Sequence, residues 1–377
     1  MKSSYDILGN HIRLVDYRNR DLVSDKVLGI NIDKYFMPSV ANVIGTDLSK
    51  YKLISKGLFA CNPMHVGRDE RLPVALYTDD TPAIVSPAYF MFEVIDNTKL
   101  NEEFLMMWFR RPEFDRICWL KTDGSVRGGI TWNDICRIEL PVPPLDEQLR
   151  IVSSYKAITD RITLKQRIND NLTEQMVIIN KMMFPQTQAE SLTINDVCTK
   201  IYSGGTPSTT EEAYWNGEYP WFSSGETSND YVVKTVKTIT KAGAQNSSTK
   251  LAKPYSTVIA SAGVGLTRGQ TSLLLMDTYV NQSVIVLEPK DEYAFFLYSN
   301  LKGRYDEIRN LSDLDSIRGS LTTKTVAQMP IPYITKESIS DFNKLCSAFI
   351  TLIKQNLREI NKLENMSNNI LTLLASR

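Results

Sequence analysis

The chain has 377 residues, of which 42% are apolar and 23% charged, the composition of a soluble globular protein long enough for two ordinary domains. Lys plus Arg equals Asp plus Glu at 43 each, so the whole molecule offers no basic field that would announce nucleic acid. The five cysteines (Cys61, Cys118, Cys136, Cys198, Cys346) never form a CxxC pair and the two histidines are His11 and His65, which argues against a zinc site, a disulfide framework or a histidine-based triad.

In chain order, the opening "MKSSYDILGNHIRLVD" has no apolar signal core. No apolar run approaches the roughly 20 residues needed to cross a bilayer, so a cytoplasmic chain with no membrane partner is expected. "NPMHVGRDERLP" from Asn62 reads as a polar loop. "PAYFMFEVI" from Pro87 reads as a strand, followed by one helix over "EEFLMMWFRRPEFDRICWL" whose face of Phe104, Met107, Phe114 and Ile117 is core. "RIELPVP" then reads as a closing edge strand, a place where proline is tolerated.

From Glu147 to Phe184 a helical pattern runs without proline or glycine, a rod about 57 Å long at 1.5 Å per residue. A domain of ordinary size could not bury such a rod end to end. "FPQTQAES" is the linker, its proline ending the helix. Beyond it, "GVGLTRGQT" reads as a turn between strands, "YVNQSVIVLEP" as a strand, "YAFFLYSNLKGRYDEIRNL" as a helix, "AQMPIP" as an edge strand, and the remainder as a second rod.

The second half restates the first. Sliding the sequence by 191 positions puts Phe104 on Phe295, Phe114 on Tyr305, Ile117 on Ile308 and Leu120 on Leu311. The phrase "SVRGG" from Ser125 falls on "SIRGS" from Ser316, and Pro141 falls on Pro332. The same shift relates two heptad seams: Ile151, Ile158, Ile162, Leu172 and Ile179 in the first rod, and Phe342, Phe349, Ile353, Leu363 and Ile370 in the second. Polar residues Lys165, Asn169 and Asn356 interrupt the seams near their middles, where they fix register at some cost in stability. The expected fold is α+β: two tandem mixed α/β domains separated by two long antiparallel coiled-coil helices, with a pseudo-twofold internal repeat. The expected boundaries are 1–145 and 186–335 for the domains, and 146–185 and 336–377 for the helices.

This arrangement resembles the specificity (S) subunit of type I DNA restriction-modification systems. "LPVPPLDEQLRIV" is similar to that family's proline-rich exit into a central helix, and "KIYSGGTPSTTEEAYWNGEYPWFSSGE" looks like a common opening of a second target-recognition domain. "NPMHVGRDERLP" with "SPAYFMFEV" resembles another common domain type. The resemblance implies a noncatalytic subunit whose two target-recognition domains each read half of a split target in double-stranded DNA. It also implies that the helices set the spacing and dock two methyltransferase (M) subunits, with translocase-nuclease (R) subunits joining for restriction. S-adenosylmethionine, ATP and Mg are then expected in those partners, and no cofactor or metal in this chain.

Base edges in the major groove are read by Arg, Lys, Asn, Gln, Ser and Thr, and phosphates are held by cations and backbone amides. Arg68 and Arg71 in the first half and Arg268 in the second are therefore candidate base readers. Arg127 and Arg318 recur in both halves and suit a shared turn or a phosphate contact. Ser203, Gly204, Gly205 and Thr206 are small enough to let backbone amides approach phosphate, and Lys324 completes the set. Trp215 and Trp221 read as packing beneath the second domain's opening loop.

Catalytic signatures are missing. "GVGLTRGQT" lacks the GK[ST] ending of a phosphate loop, and "NPMH" departs from the Asn-Pro-Pro-Tyr methyltransferase tetrad at its third and fourth positions. No GxSxG elbow, HExxH or kinase set is present. Two other readings compete: a scaffold with duplicated protein-binding domains on a coiled-coil spacer, and a self-contained enzyme.

Overall fold

The computed structural model describes residues 5–40, 45–64, 66–122, 128–185, 192–263, 266–315 and 320–376. By internal packing the chain divides into Met1–Ile162 with Lys362–Arg377, and Thr163–Asn361.

The first unit holds two four-stranded sheets. One is antiparallel, in the order Ile12–Leu14, Phe90–Val94, Phe59–Cys61, Val74–Leu76. The other runs Phe36–Pro38, Val27–Ile30, Ala83–Val85, Lys52–Ile54 with one parallel pair in its centre. The strand expected at "PAYFMFEVI" is Phe90–Val94, and Phe92 stacks on Phe59 at 5.0 Å between ring centroids. The helix expected after it is two helices, Glu102–Phe109 and Pro112–Leu120. Pro112 has no N–H to continue the first helix but suits the first turn of the second, so the chain breaks and restarts there. Both helices put aromatic residues into the core: Phe104, Trp108, Phe109 and Phe114 are all at most 2% exposed.

The second unit has a five-stranded sheet, in the order Cys198–Ser203, Val284–Pro289, Thr257–Ala260, Thr271–Leu274, Tyr231–Val232, and a four-stranded one built on Trp215–Phe222. "YVNQSVIVLEP" is two strands in different sheets, Thr278–Val280 and Val284–Pro289. The chain turns at Asn281, whose amide donates to Phe222 O at 3.0 Å. Here too the expected helix divides, into Ala294–Lys302 and Tyr305–Asp315. Gly303 at the break lies against the long helix, where an added Cβ would come within 2.8 Å of Val177 Cγ1.

Both proline-bearing edge strands form two-stranded antiparallel ribbons, Glu139–Pro141 on Tyr5–Ile7 and Pro330–Ile331 on Leu192–Thr193. The long helices are Leu145–Met183 and Lys336–Ser376. The ends of these helices are apolar enough to join the domain cores. In the first unit Val152 and Tyr155 share a core cluster with Leu371 and Leu374, and Ile151 and Ile370 pack against it. In the second, Met176, Phe184, Phe342, Cys346 and Ile353 are core, with Leu172, Ile179 and Phe349 against them. Leu363 is buried, while Ile158 and Ile162 are half-buried. Phe184 meets Phe342 at 5.5 Å and Asn169 meets Asn356 at 2.8 Å, so the helices of this unit run antiparallel.

Gln148, in "PLDEQ", ties the start of the first long helix to its domain. It is fully buried, donates to Pro143 O and Lys99 O at 2.8 Å each, and accepts from the Asn101 amide at 2.8 Å. The helix direction at the domain exit is thereby fixed by hydrogen bonds as well as packing.

Candidate nucleic-acid interface

In the first unit the strand Phe59–Cys61 runs out into the segment that carries Arg68 and Arg71. Its middle is one helical turn, Val66–Asp69, where a polar loop was expected. The stretch just past "SVR" is clamped onto it: the Ile130 amide donates to Pro63 O at 3.1 Å, and the Gly67 amide donates to Gly128 O at 2.9 Å. Gly129 makes the approach feasible, since a Cβ there would lie 3.0 Å from Pro63 O. Arg127 itself, like His65, lies outside the described residues.

Arg68 forms a two-pronged pair with Asp69 at 2.6 and 2.9 Å, which raises its pKa, and Arg71 pairs with Asp33 at 2.8 Å. Both guanidinium groups are exposed. Surface pairs of this kind are worth at most about 1 kcal/mol, so either arginine can exchange its carboxylate for a phosphate or a guanine edge.

Beside Arg71 opens a cleft of about 600 Å³ lined by Asp33, Lys34, Arg71, Arg110, Arg116 and Trp119 among others. Lys34 forms its floor in a left-handed backbone conformation, φ 68°. Its ammonium group donates to Phe109 O and pairs with Asp115 at 2.8 Å, while Asp115 also accepts the Leu72 amide at 3.0 Å. Burial pulls the Lys34 pKa below the usual lysine range, against the pull of Asp115. The pair holds the strand-exit segment, the helix Pro112–Leu120 and the turn at Lys34 together. Arg110, Arg116 and Trp119 are exposed on that helix pair, and sequence reasoning missed them. The signal was present in "FRRPEFDR", where arginines alternate with the apolar residues assigned to the core.

The second unit repeats the clamp. The Leu321 amide donates to Ser261 O at 2.9 Å, at the exit of strand Thr257–Ala260. Strand Thr257–Ala260 pairs antiparallel with Thr271–Leu274, as expected of strands joined by a turn. Gly269 has φ 86° and a Cβ on it would come 3.4 Å from the Arg309 backbone nitrogen, and Tyr305 OH donates to Leu266 O at 2.8 Å. Arg268 is half-buried in this turn, and Arg318 lies outside the described residues.

Ser203 to Thr206 occupy a different place. A Cβ on Gly204 would sit 2.0 Å from Val280 O, and one on Gly205 would sit 2.1 Å from Ser248 Oγ. The Gly205 amide donates to Val280 O at 3.0 Å and Thr206 Oγ1 donates to Gln282 Oε1. The small residues let the chain press on its own backbone, and the Gly205 amide is used inside the fold. Trp221 and Trp215 pack beneath, donating to Gly205 O at 3.3 Å and Ser208 O at 3.0 Å. Lys324 is exposed on the short helix Thr323–Ala327, which is capped by Thr322.

Among the described residues no group of three or more His, Cys, Asp or Glu is arranged to hold a metal ion. Among them also, no helix is long and apolar enough to cross a membrane.

Comparison with known proteins agrees with this architecture. The specificity subunit of the type I restriction enzyme MjaIX of Methanocaldococcus jannaschii is 23% identical over 177 residues, which span 45% of this chain and 39% of that relative. The match thus covers under half of the relative's length. The S subunit of a type I restriction-modification system from M. genitalium has the same fold at 15% identity, with a TM-score of 0.58 over 99% of this chain and 96% of that one. An HsdS subunit from Thermoanaerobacter tengcongensis aligns at 18% identity with a TM-score of 0.36, covering 98% and 96%. The family model described as type I restriction modification DNA specificity domain matches residues 73–174 and 187–363, most of the sequence, and the chain belongs to that family.

Proposed function

We propose that this chain is the noncatalytic DNA-recognition subunit of a type I restriction-modification complex, reading a split target in double-stranded DNA with one loop cluster per half. The observation that carries this is the repeated clamp, Ile130 on Pro63 and Leu321 on Ser261, which in each unit fastens the stretch just past the recurring "S-x-R-G" phrase to a strand-exit loop. Arg127 and Arg318 then serve as phosphate contacts common to both halves. Arg68, Arg71 and Arg268, on loops that differ between halves, read bases. Arg110 and Arg116 in the cleft add phosphate contacts in the first half.

The helices act as the ruler. Their 39 and 41 residues correspond to rods of about 60 Å, against 34–36 Å for one DNA turn, so two half-sites separated by unread base pairs suit them. A pseudo-twofold coiled coil is supported by the antiparallel run and by the equivalent positions of Lys165 and Asn356. Apolar residues left exposed on these helices, among them Leu164, Met182, Leu352 and Met366, suit docking of two methyltransferase subunits. Those subunits, with translocase-nuclease subunits for restriction, would bring S-adenosylmethionine, ATP and Mg. They would also bring positive charge, since this chain is neutral overall.

The test is DNA binding over a salt series, with and without the methyltransferase subunit. The reading predicts specific binding that falls steeply with salt and requires the partner. Binding to proteins alone, with no DNA selected from a random library, would instead favour the scaffold.

A further inference from the structure

When two repeated helices pair antiparallel, one position of each can face its own equivalent. Here that position is Lys165 in the first helix and Asn356 in the second, and Lys165 Nζ donates to Asn356 Oδ1 at 3.0 Å. The Lys165 side chain is 16% exposed and pairs with Glu359 at 2.8 Å. Asn356 is 3% exposed and donates through Nδ2 to Asn169 Oδ1 at 2.8 Å. The arrangement is lopsided. The repeat equivalents of Asn169 and Glu359 are Ile360 and Ile168, so each helix lacks what the other supplies.

That asymmetry distinguishes partners. If the first helix paired with a second copy of itself, Lys165 would meet Lys165, with Ile168 standing where Glu359 provides the carboxylate. Two ammonium groups would lose water and gain no counter-charge. If the second helix paired with itself, Asn356 would meet Asn356 and two Glu359 carboxylates would face no ammonium group. Two Asn356 carboxamides could still bond each other, so only the mixed pair matches charge with charge as well as donors with acceptors. The flanking seam, with Leu172 and Met176 on one helix and Ile353 and Ile360 on the other, is apolar on both and cannot make the distinction.

We propose that Lys165, Asn169, Asn356 and Glu359 form a partner-selecting surface that accepts the helix of the other repeat and rejects a second copy of the same helix. The reading rests on the helices being a repeated pair and is independent of DNA, so its test contains none.

The full-length protein and four variants are compared by thermal melting and by light scattering over a concentration series. Lys165→Glu and Glu359→Lys, each alone, lower the melting temperature by about 4 °C or more, and the double exchange restores it to within about 2 °C. The apolar variant Lys165→Met/Asn169→Leu/Asn356→Leu/Glu359→Leu melts no lower than the wild type, because the four polar groups of the seam are removed together. Unlike the wild type, it gains a heavier species as concentration rises, because its seam no longer tells the helices apart. A charge exchange that fails to restore melting overturns the proposal. So does an apolar variant whose mass distribution follows that of the wild type at every concentration.

Discussion

The Ile130 amide lies 3.1 Å from the carbonyl oxygen of Pro63, and in the second unit the amide of its repeat equivalent, Leu321, lies 2.9 Å from Ser261 O. The stretch just past the phrase that recurs in the sequence is thus the piece of each half that fastens one loop to another. Gly129 is the tightest point of the first clamp. Gly129→Val is expected to push the two segments apart and weaken recognition of one half-site by tenfold or more, about 1.4 kcal/mol, with the other half unchanged. Binding to targets randomised in one half at a time reads this directly.

Arg68, Arg71 and Arg268 are expected to differ in kind from Arg110 and Arg116. Alanine at one of the first three costs about 1–3 kcal/mol and relaxes the sequence preference at a single position. Alanine at Arg110 or Arg116 weakens all sequences alike and lowers the slope of log affinity against log salt by about one. A salt series on matched and mismatched targets separates the two groups.

The Lys34–Asp115 pair predicts an asymmetry in stability. Asp115→Ala leaves a lysine that is 4% exposed without its counter-charge and is expected to cost about 3–5 kcal/mol. Replacing both partners, as Lys34→Met/Asp115→Asn, removes both charges while keeping an acceptor for the Leu72 amide and is expected to cost less. Denaturant melts of the three proteins at one pH give the comparison.

Burial pushes the thiols of Cys61, Cys198 and Cys346 up to about 12. A group whose pKa is raised by folding stabilises the native state fully below its unfolded pKa and loses that contribution as pH rises. Each thiol therefore removes about 1.4 kcal/mol per pH unit once the medium is above about pH 9, continuing to about pH 12. Denaturant melts across that window should steepen accordingly, and Cys61→Ala should flatten the slope by one thiol's share.

Much of the architecture was legible because it depends on periodicity and on proline. The heptad seams located the long helices, and proline marked both closing ribbons. Breaks within helices were harder. Pro112 and Gly303 stand inside apolar patterns that continue on either side, so periodicity alone joined what local backbone chemistry divides. The candidate site was half visible. Arginine-bearing loops could be named from residue type, but Lys34, Arg110 and Arg116 meet Arg71 only through tertiary packing. Gly204 and Gly205 misled in the other direction, since a glycine pair reads the same whether it admits a phosphate or its own sheet. Their contacts predict that Gly204→Ala destabilises the second unit by about 2–4 kcal/mol whatever becomes of DNA binding.

The most direct test of the recognition account is to co-express the chain with a methyltransferase subunit and map methylated bases across a plasmid library by single-molecule sequencing. The account predicts a split motif in which Arg71→Ala relaxes one half, Arg268→Ala relaxes the other, and one helical turn inserted in both long helices lengthens the gap. A stable complex that methylates nothing, or a gap indifferent to helix length, would contradict it.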